Sequence, residues 1–444
     1  MHRLFAAAAG MVLALTCGAA LAADRPLNQP PEGFTNLFDG KTLHGWRGRQ
    51  QDYSPYAEAK LSKAELADKQ ALWNANMAQH WRVDAEKGEI VSDGHGVYLT
   101  TGKDYRDFDM WVDWLMVSHN GDSGVYLRAY PQVQIWDPSN AREIANGIQK
   151  GSGALWNNNN DNPGKWPLVK ADNPVGQWNT FHIKMIGSRV WVWFNDKLTV
   201  DGQILDNYFD RTLPVLPIGP IELQTHGSEI RFRNVYIREI QNAEANAALD
   251  KLAGTQGYKS VFNGKDFTGW GGPVDEYEVH DGAIRCKPGK GGTIHTNEEF
   301  TDFEGKVEFK LPPAGNNGLA IRYPGTGDTA YVGMCELQIL DDTAPEYKNL
   351  DPRQSCCSIY GVVPAHMGYL RPLGEWNFEH FIIKGHTIKV ELNGNVVVNA
   401  DVSKVHEFMA HNKHPGLMRT KGSFGFAGHT DPVEFRHVYI KPIE

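Results

Sequence analysis

Along this chain, apolar and polar residues alternate in short runs broken by glycine, asparagine and proline. "RVWVWFND" from Arg189 and "TIKVELNG" from Thr387 alternate with a period of two and end in Asn-Asp and Asn-Gly, the pattern of half-buried strands closed by tight turns. "VYLR", "VQIWD" and "LQIL" repeat the alternation in miniature. "IRFRNVYIREI" from Ile230 and "VEFRHVYIKPI" from Val433 are aromatic and β-branched, as strands favour. Helical periodicity is confined to two stretches. Over 61–81, Leu66, Trp73 and Met77 recur at helical spacing behind a Ser62–Glu65 capping box. "QNAEANAALDKLAGTQ", 241–256, is Ala-rich with Gly254 as a stop and predicts a helical linker.

The pattern is written twice. "GFTNLFDGKTLHGW" at Gly33–Trp46 returns as "GYKSVFNGKDFTGW" at Gly257–Trp270. "NGDSGVYLR" at Asn120–Arg128 answers "AGNNGLAIR" at Ala314–Arg322, and "QVQIWD" at Gln132 answers "ELQILD" at Glu336. "GQWNTFHIK" from Gly176 and "GEWNFEHFIIK" from Gly374 align, as do "THGSEIRFRNVYI" and "GHTDPVEFRHVYI". Blocks in one order predict a duplication. Short strands without alternating helices predict an all-β chain of two antiparallel sandwiches in tandem. At roughly 190–210 residues per copy the jelly roll fits better than a small barrel. The expected boundaries are a first domain over 23–240 with the helical insert at 61–81, a linker over 241–256, and a second domain over 257–444.

Residues 1–22 read as a leader: Arg3, an apolar run from Leu4 to Leu15, and Ala20-Leu21-Ala22 for cleavage. The run is too short to span a bilayer, so the expected product is periplasmic or secreted, beginning near Ala23. Lipid attachment at Cys17 fits the flanking Leu15 and Thr16 poorly. Composition is that of a folded protein, 41% hydrophobic and 22% charged with 46 Gly. A formal charge of −9 without a basic block argues against a nucleic-acid partner. The remaining cysteines, Cys286, Cys335, Cys356 and Cys357, lack zinc spacing and read as buried thiols or one bridge.

Candidate chemistry lies at the strand ends. Side chains two apart share a face, so Glu336 pairs with Gln338, Gln132 with Gln134, and Gln224 with His226; in the second copy Ala427 and His429 take the last two places. Arg128 and Arg322 end their strands, and Asp137 and Asp341 follow theirs. Together these residues would make a polar patch on the concave face of a sheet, suited to sugar hydroxyls. Glu336 is a carboxylate where the first copy has the amide Gln132, and an amide cannot act as a general base. Catalysis through that position therefore points to the second copy. The Asp-Gly…Trp segments, Arg233 and Arg436 read as architecture.

The ordered blocks "LFDGKTLHGW", "VFNGKDFTGW", "SGVYLR", "ELQILDD", "GEWN" and "LQTHG" resemble the 3-keto-disaccharide hydrolase domain family, over both copies. The resemblance implies a concanavalin A-like jelly roll and cleavage of glycosides carrying a ketone on the third sugar carbon. It casts Glu336 or His429 as base, Arg322 or a divalent metal as enolate stabiliser, and Gln338 as hydroxyl ligand. Asp341, Arg128, Gln132, Gln134, Gln224 and His226 join as substrate-binding residues. The end point, hydrolysis or elimination, stays open; the alternative is a non-catalytic, lectin-like carbohydrate binder.

Overall fold

The structure, a computed structural model, describes residues 26–443; the expected leader and Cys17 lie outside them. Each half is a two-layer antiparallel sandwich, and the two share one plan. In the first, an eight-stranded sheet runs Lys197–Ile204, Arg189–Phe194, Trp178–Ile186, Phe108–Met116, Ile230–Glu239, Glu89–Ser92, Trp81–Asp84, with Thr35–Asn36 also paired to Ile230–Glu239. Its five-stranded partner runs Trp46–Arg49, Tyr98–Thr101, Glu222–Leu223, Asp122–Leu127, Tyr130–Trp136. The second half repeats this, its five-stranded sheet running Trp270–Gly271, Gly292–Phe300, Gly422–Gly428, Asn316–Tyr323, Cys335–Leu340. This is the predicted fold: two concanavalin A-like jelly-roll sandwiches.

The repeated turn segments anchor the cores. Trp46 and Trp270 are buried, and each indole donates nine residues back, to Leu37 O at 2.6 Å and Val261 O at 2.9 Å. Phe38 and Phe262 lie in the same two cores. One core position differs in kind. Glu379 projects between the sheets where the first copy has Phe181; it is fully buried, its Oε1 has no partner, and Cys357 Sγ is 3.6 Å from Oε2. Burial pushes its carboxyl up to about 8. The four cysteines within the described residues are free and buried.

The helical insert is present as Lys63–His80, with Ser62 and Glu65 closing a reciprocal capping box. It lies against Trp46–Arg49, so close that a Cβ on Gly48 would come within 2.3 Å of the Trp73 carbonyl. The linker contains the helix Asn242–Ala253, which is wedged between the halves. Ala245 and Leu249 pack with Ile186, Trp191, Ile240 and Phe378 from both sides. Polar contacts rim this seam: Lys306 to Asp250 at 2.6 Å, Ser188 to Asn395 at 2.8 Å, and Arg189 to Glu391 at 3.0 Å.

Candidate functional site

Strand alternation decides which side chains leave the core. On Cys335–Leu340, Leu337 and Ile339 point inward, so Glu336 and Gln338 lie together on the outer face of the five-stranded sheet. The neighbouring strand brings Asn316 beside them, and Gln338 Nε2 donates to its Oδ1 at 2.9 Å. Much of this face carries small residues, Gly271, Gly318, Ala320, Gly425 and Ala427, with Thr293 rising among them. His295 stands on the same face, edge-on to Tyr323 with ring centres 5.7 Å apart.

Glu336 is the chemical centre of this face. It is 5% exposed and accepts no hydrogen bond within the described residues. Burial, reinforced by the negative charge of Asp328, pushes its carboxyl up to about 8. Asp328 caps the short helix Thr329–Val332 through Ala330 N at 3.1 Å. Gln338 Oε1 is buried without a partner. An unpaired acid and amide on one face leave hydrogen-bonding capacity for a ligand. His429 is exposed just beyond Gly422–Gly428 and makes no hydrogen bond.

Three expected members stand elsewhere. Arg322, expected to stabilise an enolate, is fully buried and donates to Thr301 O, Gly385 O and Arg419 O, each at 2.8 Å, and to Asp302 at 2.8 Å. Arg128 does the same in the first half, donating to Gly187 O at 2.8 Å and Asp107 at 3.1 Å. Both have left-handed backbones, φ 48° and 54°. The turn sends each guanidinium inward, where it clamps chain ends that would otherwise leave carbonyls unpaired. Asp341 is a loop pin, accepting from Ala314 N at 2.8 Å and Thr343 N at 2.9 Å.

The same face of the first half is filled. Arg49 is buried between Glu58 at 2.6 Å and Glu222 at 3.2 Å, and Tyr126 donates to Asp52 at 2.6 Å. The segment leading into the insert thus covers the central strands. Polar groups persist at one end: Gln132 bonds Gln134, Gln134 donates to Asp122 at 2.7 Å, and Gln224 donates to the Tyr98 hydroxyl at 3.2 Å. His226 lies 3.6 Å from Asp122.

Sequence reasoning missed Asp122, Asn316, Asp328 and His295. The first two were visible as a Asp-to-Asn exchange within the aligned blocks "NGDSGVYLR" and "AGNNGLAIR". The other two are brought in by loops and register that no spacing encodes. Among the described residues, no three His, Cys, Asp or Glu side chains are grouped so as to hold a metal ion. No helix there is long and apolar enough to cross a membrane.

A 3-keto-disaccharide hydrolase of Bacteroides thetaiotaomicron is 26% identical over 251 residues, covering 47% of this chain and 86% of that protein. Two solved structures of candidate glycosyl hydrolases from Parabacteroides distasonis match at 27% and 24% identity. They cover 42% and 46% of this chain and 99% of each of theirs, with TM-scores of 0.39 and 0.38. The model of the 3-keto-alpha-glucoside-1,2-lyase-like domain matches twice, over 33–238 and 257–441. The chain belongs to this family of glycoside-acting proteins, and carries two copies of its domain.

Proposed function

We propose that the protein is an exported enzyme that cleaves 3-keto-glycosides, with its principal site on the second half and Glu336 as the base. One observation carries this reading: Glu336 is a buried carboxylate with no hydrogen-bond partner among the described residues, beside the amides of Gln338 and Asn316 on a sheet face lined largely by small residues. Ionised, Glu336 takes the hydrogen on the carbon next to the ketone, and the electron pair delocalises as an enolate. The ketone then re-forms as a double bond develops to the anomeric carbon and the glycosidic oxygen leaves, taking up a proton. Addition of water across that double bond gives net hydrolysis; release of the unsaturated ketone gives a lyase. With Arg322 committed to its clamp, the amide N–H groups of Asn316 and Gln338 are the donors for the developing oxyanion.

The test is incubation with a 3-keto-disaccharide and with its unoxidised parent, products being identified by mass. Cleavage of the keto form alone, lost in Glu336→Gln, supports the proposal. Binding of both without cleavage of either overturns it in favour of a lectin-like role. Export is tested by the mass of the protein from the periplasmic or extracellular fraction, expected to begin near Ala23.

A further inference from the structure

Between the two copies, one carboxylate has changed strands. In the second half the outer-face residues on neighbouring strands are Glu336 and Asn316; at the same places the first half has Gln132 and Asp122. Each half keeps one acid and one amide, exchanged. The bridging glutamine is common to both, Gln338 to Asn316 at 2.9 Å and Gln134 to Asp122 at 2.7 Å. Asp122 has in addition an imidazole, His226 Nδ1, 3.6 Å from its Oδ2, and both side chains reach solvent.

Among the described residues, three buried polar atoms on this face have no partner: Gln132 Oε1, Gln224 Oε1 and the Trp136 indole N–H. Their side chains are 4%, 6% and 5% exposed. Folded proteins leave few such atoms, and these three rise from the same sheet face as Asp122. They present two acceptors and one donor, the complement of adjacent hydroxyls, each of which can both give and accept. Trp136 is buried edge-on against the half-buried Trp156, ring centres 5.8 Å apart, which leaves part of Trp156 as the apolar surface there. The segment leading into the insert covers the central strands through Asp52 and Glu58 and leaves this end.

We propose that this end of the front sheet is a second sugar site in which Asp122 and His226 act as an acid–base pair on 3-keto-glycosides. Its chemistry rests on the function proposed above; its existence as a sugar site does not. Asp122 takes the hydrogen next to the ketone, that electron pair passes through the enolate into the new double bond, and the anomeric C–O bond breaks. The departing oxygen takes its proton from His226, the acid of the pair. Burial lifts the Asp122 carboxyl to about 6, opposed by His226 and reinforced by Glu143, the ionisable groups that face it.

The experiment compares Glu336→Gln, Asp122→Asn and the double variant, all near-isosteric, in turnover of a 3-keto-disaccharide and in calorimetric binding of that sugar. Residual turnover in Glu336→Gln that rises through about pH 6, declines again at higher pH, and falls at least tenfold on adding Asp122→Asn supports the proposal. So does binding of two sugars per double-variant chain, reduced to one by Gln132→Ala with Gln224→Ala. Residual turnover indifferent to Asp122→Asn removes the acid–base pair, and a stoichiometry of one that those glutamine changes leave intact overturns the site. Should the parent protein cleave nothing, the preceding reading fails on its own, and stoichiometry alone decides whether the front site exists.

Discussion

Glu336 stands directly over Gly318 of the neighbouring strand: a Cβ on that glycine would come within 2.1 Å of Glu336 Oε1 and 2.4 Å of its carboxyl carbon. The absence of a side chain at 318 is what lets the carboxylate lie flat on the sheet. Gly318→Ala is expected to fold, since its backbone is ordinary strand, but to displace the carboxylate by an ångström or more. Misplacement on this scale costs about 100-fold in rate. The check is kcat/KM on a 3-keto-disaccharide together with an unchanged far-ultraviolet circular dichroism spectrum.

A base with its carboxyl raised to about 8 works only when ionised. The second half's kcat/KM is therefore expected to climb with pH and level off above about pH 8, in a variant carrying Asp122→Asn to silence the front site. Glu336→Gln in that background should lower the rate by about 10²–10⁴. A flat profile from pH 5 to 9 would remove Glu336 from the role.

Glu379 makes stability depend on pH. Its folded-state value of about 8 lies above the ordinary 4.5, so the folded chain holds its proton after the unfolded chain has lost it. Below about pH 4.5 both states are protonated and the pH-linked penalty vanishes. From there to about pH 8 stability falls, by about 1.4 kcal/mol per pH unit for each such group. Glu379→Gln should raise the midpoint of urea unfolding at pH 8 and leave it nearly unchanged at pH 4. Glu336 behaves in the same sense, so the variant keeps part of the slope.

Arg322 is expected to matter for folding and not for chemistry. Arg322→Leu strands three carbonyls and Asp302, and losing one partner of such a pair costs about 3–5 kcal/mol. Thermal unfolding should shift down sharply, while kcat/KM at a temperature where the variant is folded stays within about threefold of the parent.

The duplication, the sandwich class and the capped helix were legible because each rests on local rules: period-two alternation, turn pairs, and Ser62 three residues before Glu65. The pairing of Glu336 with Gln338 was legible for the same reason, since alternation alone puts them on one face. Arg128 and Arg322 misled because a charged residue ending a strand looks solvent-directed, whereas a left-handed turn at each directs it inward. Asp328 and His295 were beyond reach: they join Glu336 through loop conformation and strand register, which depend on contacts far apart in the chain. Glu379 was hidden by its own strand, where a carboxylate occupies an inward position that alternation reserves for an apolar side chain.

The centre of the seam, around Trp191, Leu249 and Phe378, is wholly apolar. Severed at the linker, either half would turn an indole or a phenyl ring to water and so tend to aggregate. Each copy therefore leans on its neighbour for cover, and expressing either alone is expected to need apolar-to-polar changes along that seam.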